Sequence, residues 1–318
     1  MRRLEIVHRT RYDYSAPVTL GEHRLMFRPR DSHDLRLLHT GLAIEPAAQV
    51  RWIHDPFGNS IAIAAFEGPT QALELTSTIR LEHFGLPPEL PPIEEYARKL
   101  PFAYLAEEAP DLTRYVERHY PDPNAALSSW TKQFLEGEEG GADTFATLTR
   151  MCNGIQETLK YAMRFEPGTQ PPATTLESGS GTCRDYALLM IEGARAFGLA
   201  ARFITGYLYD PALDEAAGGT ANPAFAHAWM EVYLPGAGWV EFDPTNGIIG
   251  SERLIRVAVG RDPEQAMPIK GTFTGAADVA VNTIVDVQVK TLAPLAAAEA
   301  PGPAPAPAAA PQEPITQS

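Results

Sequence analysis

Apolar and polar residues alternate with a period of two in Leu4-Glu5-Ile6-Val7-His8 and again in Ser60-Ile61-Ala62-Ile63-Ala64-Ala65-Phe66. That period belongs to strands with one buried face. Turn-forming runs separate such segments: Ser15-Ala16-Pro17, Pro29-Arg30-Asp31 and Asp55-Pro56-Phe57-Gly58-Asn59. Residues 1–85 are therefore expected to form an antiparallel, sandwich-like β domain. Four prolines in residues 85–92 suit neither a strand nor a helix interior, so this stretch reads as a linker.

Residues 93–100, 112–119 and 128–135 mix polar and apolar positions in a way that suits helices, and 86–140 is read as linker plus helical segment. Between 144 and 161 the period lengthens to that of a helix, with Phe145, Leu148, Met151, Cys152, Ile155 and Leu159 near one face. A second amphipathic helix is expected over 183–197, capped by Ser180 or Thr182 and closed by Gly198. Strands follow at 199–209, 227–234 and 239–243. Valine alternation over 278–290 predicts one long strand or a bent pair, and residues 141–292 are taken as one domain. The alanine-proline tail, 293–318, has almost no core-forming residues and is expected to lack a fold.

The 318 residues suffice for two domains of ordinary size. With 26 Lys and Arg against 40 Asp and Glu, the net charge is −14, which gives no global field for a phosphate backbone. Nucleic acid is not an expected partner. Arg24, Arg28, Arg30 and Arg36 form a local basic cluster, read as a solvated edge. No apolar run reaches spanning length and no apolar segment follows the first arginines, so neither membrane nor signal peptide is expected. With only Cys152 and Cys183, a cytoplasmic, reduced protein is the economical expectation. The oligomeric state is not indicated.

Cys183 stands at the expected start of a helix, after Gly179-Ser180-Gly181, and is followed in the chain by His227 and Asp243. Free N–H groups and the positive end of a helix favour a thiolate. An imidazole can take the thiol proton and a carboxylate can fix the imidazole tautomer, so the three residue types suit acyl transfer. Zinc is disfavoured because no second cysteine or close histidine pair supplies ligand spacing, and no cofactor is expected. Hairpin parity sets a condition. A four-residue loop at 235–238 would send His227 and Asp243 to opposite faces; a loop of odd length, such as 234–238, or a bulge would unite them.

The motifs Gly181-Thr182-Cys183-Arg184-Asp185-Tyr186, Gly198-Leu199-Ala200-Ala201-Arg202, His227-Ala228-Trp229-Met230-Glu231 and Gly238-Trp239-Val240-Glu241-Phe242-Asp243-Pro244-Thr245 resemble the transglutaminase-like superfamily. Tyr12-Asp13-Tyr14 and Arg24-Leu25-Met26-Phe27-Arg28-Pro29 resemble the leading β domain of its bacterial members. The resemblance implies an α+β fold: a papain-like core, with a Cys-bearing helix packed on an antiparallel sheet, preceded by that β domain. It implies Cys183 as nucleophile, His227 as base and Asp243 as orienting carboxylate. The expected activity is thiol-dependent acyl transfer on a peptide or protein amide, with hydrolysis favoured. Transamidation by the same residues and a non-enzymatic interaction module are the alternatives. Tyr161, Arg184 and Trp229 are candidate oxyanion or substrate contacts; a buried core position is the competing reading for Tyr161, and a wall or core position for Trp229.

Overall fold

The computed structural model describes residues 1–85, 92–122, 124–135, 141–164, 168–211, 222–224 and 226–293. Residues 86–91 of the proline-rich linker, residues 136–140 and the tail beyond 293 lie outside them. Two antiparallel sheets make the β domain. One has the order Asn222–Ala224, Val281–Thr291, Arg2–Leu20, Pro69–His83, Leu35–Glu45, with Phe273–Thr274 also on the first strand. The other has the order Ile269–Lys270, His23–Arg28, Ser60–Phe66, Ala48–His54. Between them Tyr14, Val18, Leu25, Phe27, Ala62, Ala64, Leu73 and Leu75 are buried together, which makes this a sandwich.

Three expectations change here. The run Ser15-Ala16-Pro17 does not end the first strand; pairing with Pro69–His83 shifts register between Asp13 and Val18 and then resumes, so the turn signal marks a bulge. Residues 93–100 form a single 3-10 turn, Glu95–Ala97, and a short strand, Lys99–Leu100, because the residue before Pro101 is disfavoured in the helical region. The domain boundary at 292 also moves. Val281–Thr291 pairs along the first strand from Leu4↔Thr291 to Tyr14↔Val281, so this strand belongs to the β domain.

Among the described residues there are five α-helices: α1 (Ala109–Val116), α2 (Ala126–Lys132), α3 (Thr144–Thr158), α4 (Pro172–Ser178) and α5 (Cys183–Ala196). None is long and apolar enough to cross a membrane. They accompany a five-stranded sheet in the order Ile248–Ile249, Gly238–Asp243, Ala226–Leu234, Ala201–Leu208, Leu254–Gly260. Leu148, Met151, Cys152 and Ile155 of α3 meet Ala187, Met190, Ile191 and Ala194 of α5, together with Phe203, Ala228, Met230, Val232 and Phe242 of the sheet. The strand residues in that core are even-numbered along Ala226–Leu234, as a period of two requires.

His8 joins the two domains. It is 3% exposed, and its ring nitrogens meet the Tyr207 hydroxyl at 3.0 Å and the Thr10 hydroxyl at 3.1 Å. Burial drives its pKa down to about 4, against a smaller opposing pull from Asp286. Between that value and the ordinary 6.5, the unfolded chain binds a proton that the folded chain refuses. Stability from this site is therefore complete above pH 6.5 and lost as pH falls, by at most about 3 kcal/mol. Denaturant titrations of wild type and His8→Gln at pH 7 and pH 4.5 should show a smaller acid loss in the variant.

Candidate active site

Cys183 is the first residue of α5. Thr182 caps the helix in a reciprocal box: the Asp185 carboxylate accepts from the Thr182 N–H and from its hydroxyl, each at 2.8 Å. Asp185 is fully buried and also accepts from Arg164 Nη2 at 3.2 Å and Gln170 N–H at 2.8 Å. Burial works to raise its pKa, but these donors hold the carboxyl below the ordinary carboxylate range. One carboxylate thus ties the helix start to the segment before it. At the other end, Gly198 adopts φ 80°, a conformation that favours glycine, and Leu199 N–H returns to the Ala194 carbonyl at 3.1 Å.

The hairpin meets the parity condition. Leu234 pairs with Gly238, Val232 with Val240 and Met230 with Phe242, across a three-residue loop at 235–237. Paired positions therefore have an even sum, and His227 and Asp243 share a face. His227 Nε2 lies 2.8 Å from Asp243 Oδ2. The imidazole is buried, at 8% exposure, and the carboxylate is fully buried. The Cys183 side chain is within hydrogen-bonding reach of the same imidazole. With Nε2 taken by Asp243, Nδ1 is the ring nitrogen left for the thiol.

Electrostatics favours the protonated imidazole. Burial alone would lower the His227 pKa, but the Asp243 charge and hydrogen bond, reinforced by Cys183, carry it up to about 10. Burial likewise presses Asp243 upward, and His227, Asn246 and the Thr245 N–H together bring it below its ordinary value. Asn246 was not recognised in the sequence as part of the site. Its Nδ2 donates to Asp243 Oδ2 at 2.7 Å, while Thr245 N–H donates to Oδ1 at 2.9 Å. The Asp-Pro-Thr-Asn run reads as a turn signal, and it is a turn; the same geometry aims an amide at the carboxylate.

The three other candidates part ways. Tyr161 is 49% exposed, so the buried-core reading does not apply to it. A two-residue parallel pairing, Tyr161↔Gly181, sets it beside the helix start, and its hydroxyl reaches both the side chain and the backbone N–H of Cys183. This strand begins at Lys160, because α3 ends at Thr158, earlier than the expected helix end. Arg184, half-buried, follows Cys183, and its charge acts on the Tyr161 hydroxyl.

Trp229 is fully buried and stacks on His227 at 5.9 Å between ring centroids, so it backs the imidazole and does not face a substrate. Gly206, opposite His227, leaves room for that ring: a methyl group there would collide with it and with the Ile255 carbonyl. Cys152, the second thiol, is buried in the core, and burial pushes its pKa upward.

Residues 128–244 match the family described as the transglutaminase-like superfamily, and residues 4–82 match the bacterial transglutaminase-like N-terminal region. The chain belongs to the transglutaminase-like superfamily and has the α+β, papain-like fold of its core behind a bacterial-type β domain. It is 25% identical to the uncharacterized protein ML0607 of Mycobacterium leprae over 90% of this chain and 99% of that one. A solved structure from Cytophaga hutchinsonii, described as that of a candidate cysteine protease, superposes with a TM-score of 0.63 over 92% of this chain and 98% of its own, at 16% identity. A protein-glutamine gamma-glutamyltransferase of Pseudomonas aeruginosa is 36% identical over 93 residues, which are 24% of this chain and 13% of that protein.

Proposed function

We propose that this protein is a thiol-dependent acyl-transfer enzyme acting on amide bonds of a peptide or protein, with hydrolysis as its main outcome. The observation that carries the reading is the 2.8 Å bond between His227 Nε2 and Asp243 Oδ2, with the Cys183 thiol at the same imidazole and at a helix start. Cys183 passes its proton to His227, and the thiolate attacks the amide carbonyl. The oxyanion meets the Cys183 N–H, which as the first of the helix has no intrahelical partner, and the Tyr161 hydroxyl. The imidazolium then protonates the leaving amine, leaving a thioester.

Acylation removes the thiolate charge that helps to hold the His227 proton. The imidazole then activates a water, which attacks the thioester and releases the acid. Water needs no dedicated acceptor pocket, which favours hydrolysis. The sequence match to a gamma-glutamyltransferase supports a second reading, in which an amine takes the place of water. Incubating wild type and Cys183→Ala with a peptide mixture, with and without added amine, and measuring masses decides between them. Cys183-dependent cleavage or deamidation supports hydrolysis, and amine-dependent mass gain supports transfer. Products identical with and without Cys183 would remove the basis of both.

A further inference from the structure

We propose that Arg184 is a specificity-determining residue that binds a carboxylate of the substrate next to the amide under attack, an inference that rests on the reading of Cys183 as nucleophile. Arg184 occupies the second position of α5, directly after Cys183, and is half-buried. It makes no hydrogen bond or ion pair with a described residue. Its charge acts on the Tyr161 hydroxyl, which itself reaches Cys183, and its place in the helix puts its backbone directly beside the nucleophile.

This isolation sets Arg184 apart from its neighbours. In residues 141–293, Arg164, Arg195, Arg202, Arg253, Arg256 and Arg261 are also half-buried or buried, and each is paired with a carboxylate. Acidic residues outnumber basic ones by 40 to 26, so the chain has no shortage of partners to place there. The position is also unfavourable for a cation, because the first turn of a helix carries positive partial charge. A half-desolvated arginine at that end, without a counter-ion among the described residues and next to the nucleophile in the helix, is completed by an anion that arrives from outside.

A guanidinium offers parallel N–H donors that match the two oxygens of a carboxylate. From the residue after Cys183, it would select an acidic side chain flanking the scissile amide or the α-carboxylate of a chain end. The thiolate is a rival anion, but it is consumed on acylation, and the two roles separate experimentally.

The test measures alkylation of Cys183 in the full chain by iodoacetate and by iodoacetamide, followed by peptide mass mapping with Cys152 as internal reference. In both reactions the thiolate displaces iodide and forms a sulfur–carbon bond, and only iodoacetate carries a carboxylate. The iodoacetate-to-iodoacetamide rate ratio in the wild type should exceed that of glutathione by about tenfold, the size expected for one charge-assisted contact. Arg184→Gln should bring the ratio to the glutathione value, and Arg184→Lys should retain part of it.

A wild-type ratio equal to that of glutathione overturns the proposal. An equal fall for both reagents in Arg184→Gln also overturns it and assigns the arginine to thiolate stabilisation. Cys183 labelling no faster than Cys152 with either reagent would overturn the nucleophile reading itself. Protection against iodoacetamide then distinguishes the sources: N-acetylglycine carries a terminal carboxylate, N-acetylglutamic acid α-amide a side-chain one, and N-acetylglycinamide none. Protection by either acid supports the proposal and identifies the source, whereas equal protection by the neutral amide overturns it.

Discussion

Asp243→Asn is expected to lower kcat/KM on a peptide amide by about a thousandfold or more, and to move the alkaline limb of the pH profile downward. The carboxylate does two things that asparagine cannot: it fixes the ring so that Nδ1 faces the thiol, and its charge holds the proton on His227. In the wild type the Asp243 charge and hydrogen bond carry the His227 pKa up to about 10, which under the proposed mechanism sets the upper limit for donating a proton to the leaving amine. Without the Asp243 charge, burial dominates and the His227 pKa falls, so the limb moves toward and below the ordinary histidine range. Activity measured from pH 5 to 10.5 on both proteins checks this. An unchanged limb would mean that a group other than His227 supplies the proton.

Asp185→Ala is expected to be the most destabilising of the substitutions considered, by about 3–5 kcal/mol, because it removes the buried carboxylate that pairs with Arg164 and half of the helix cap at once. The Thr182 N–H, the Thr182 hydroxyl and the Gln170 N–H lose their acceptor together. Loss of midpoint in denaturant titrations should be accompanied by slower alkylation of Cys183, since the donors at the helix start are no longer held in place. Asp185→Asn keeps the shape and two acceptor sites on one oxygen, and should lose less. If Asp185→Ala unfolds at the wild-type midpoint, this carboxylate is not what ties the helix start to residues 164–170.

Much of the site was legible because its chemistry is local. A thiol after glycines and before an amphipathic run reads as a helix start, and Cys183 is at one. The hairpin could be reduced to a parity condition, since side chains alternate and only the loop length was open; the three-residue loop supplies it. Asn246 escaped because its role depends on how the turn after Asp243 folds back, and turn residues carry the same signature whether or not their side chains serve a neighbour. A wall or core position for Trp229 was legible, but its stacking on His227 was not, because that depends on the close approach of Gly206 and the strand beyond it.

The β domain shows the complementary limit. Alternation predicted its strands, and the valine-rich run near the C-terminus was recognised as one of them. Its partner was not, because an exposed or half-buried strand records which of its faces is apolar and nothing about which edge it joins. Local periodicity, capping residues and the order of thiol, imidazole and carboxylate were determined by the sequence itself, since each rests on contacts within a few residues. The pairing of Val281–Thr291 with the first strand, the imidazole nitrogen left to Cys183 and the lack of a counter-ion for Arg184 among the described residues were decided only by the tertiary structure, because each depends on residues tens to hundreds of positions apart.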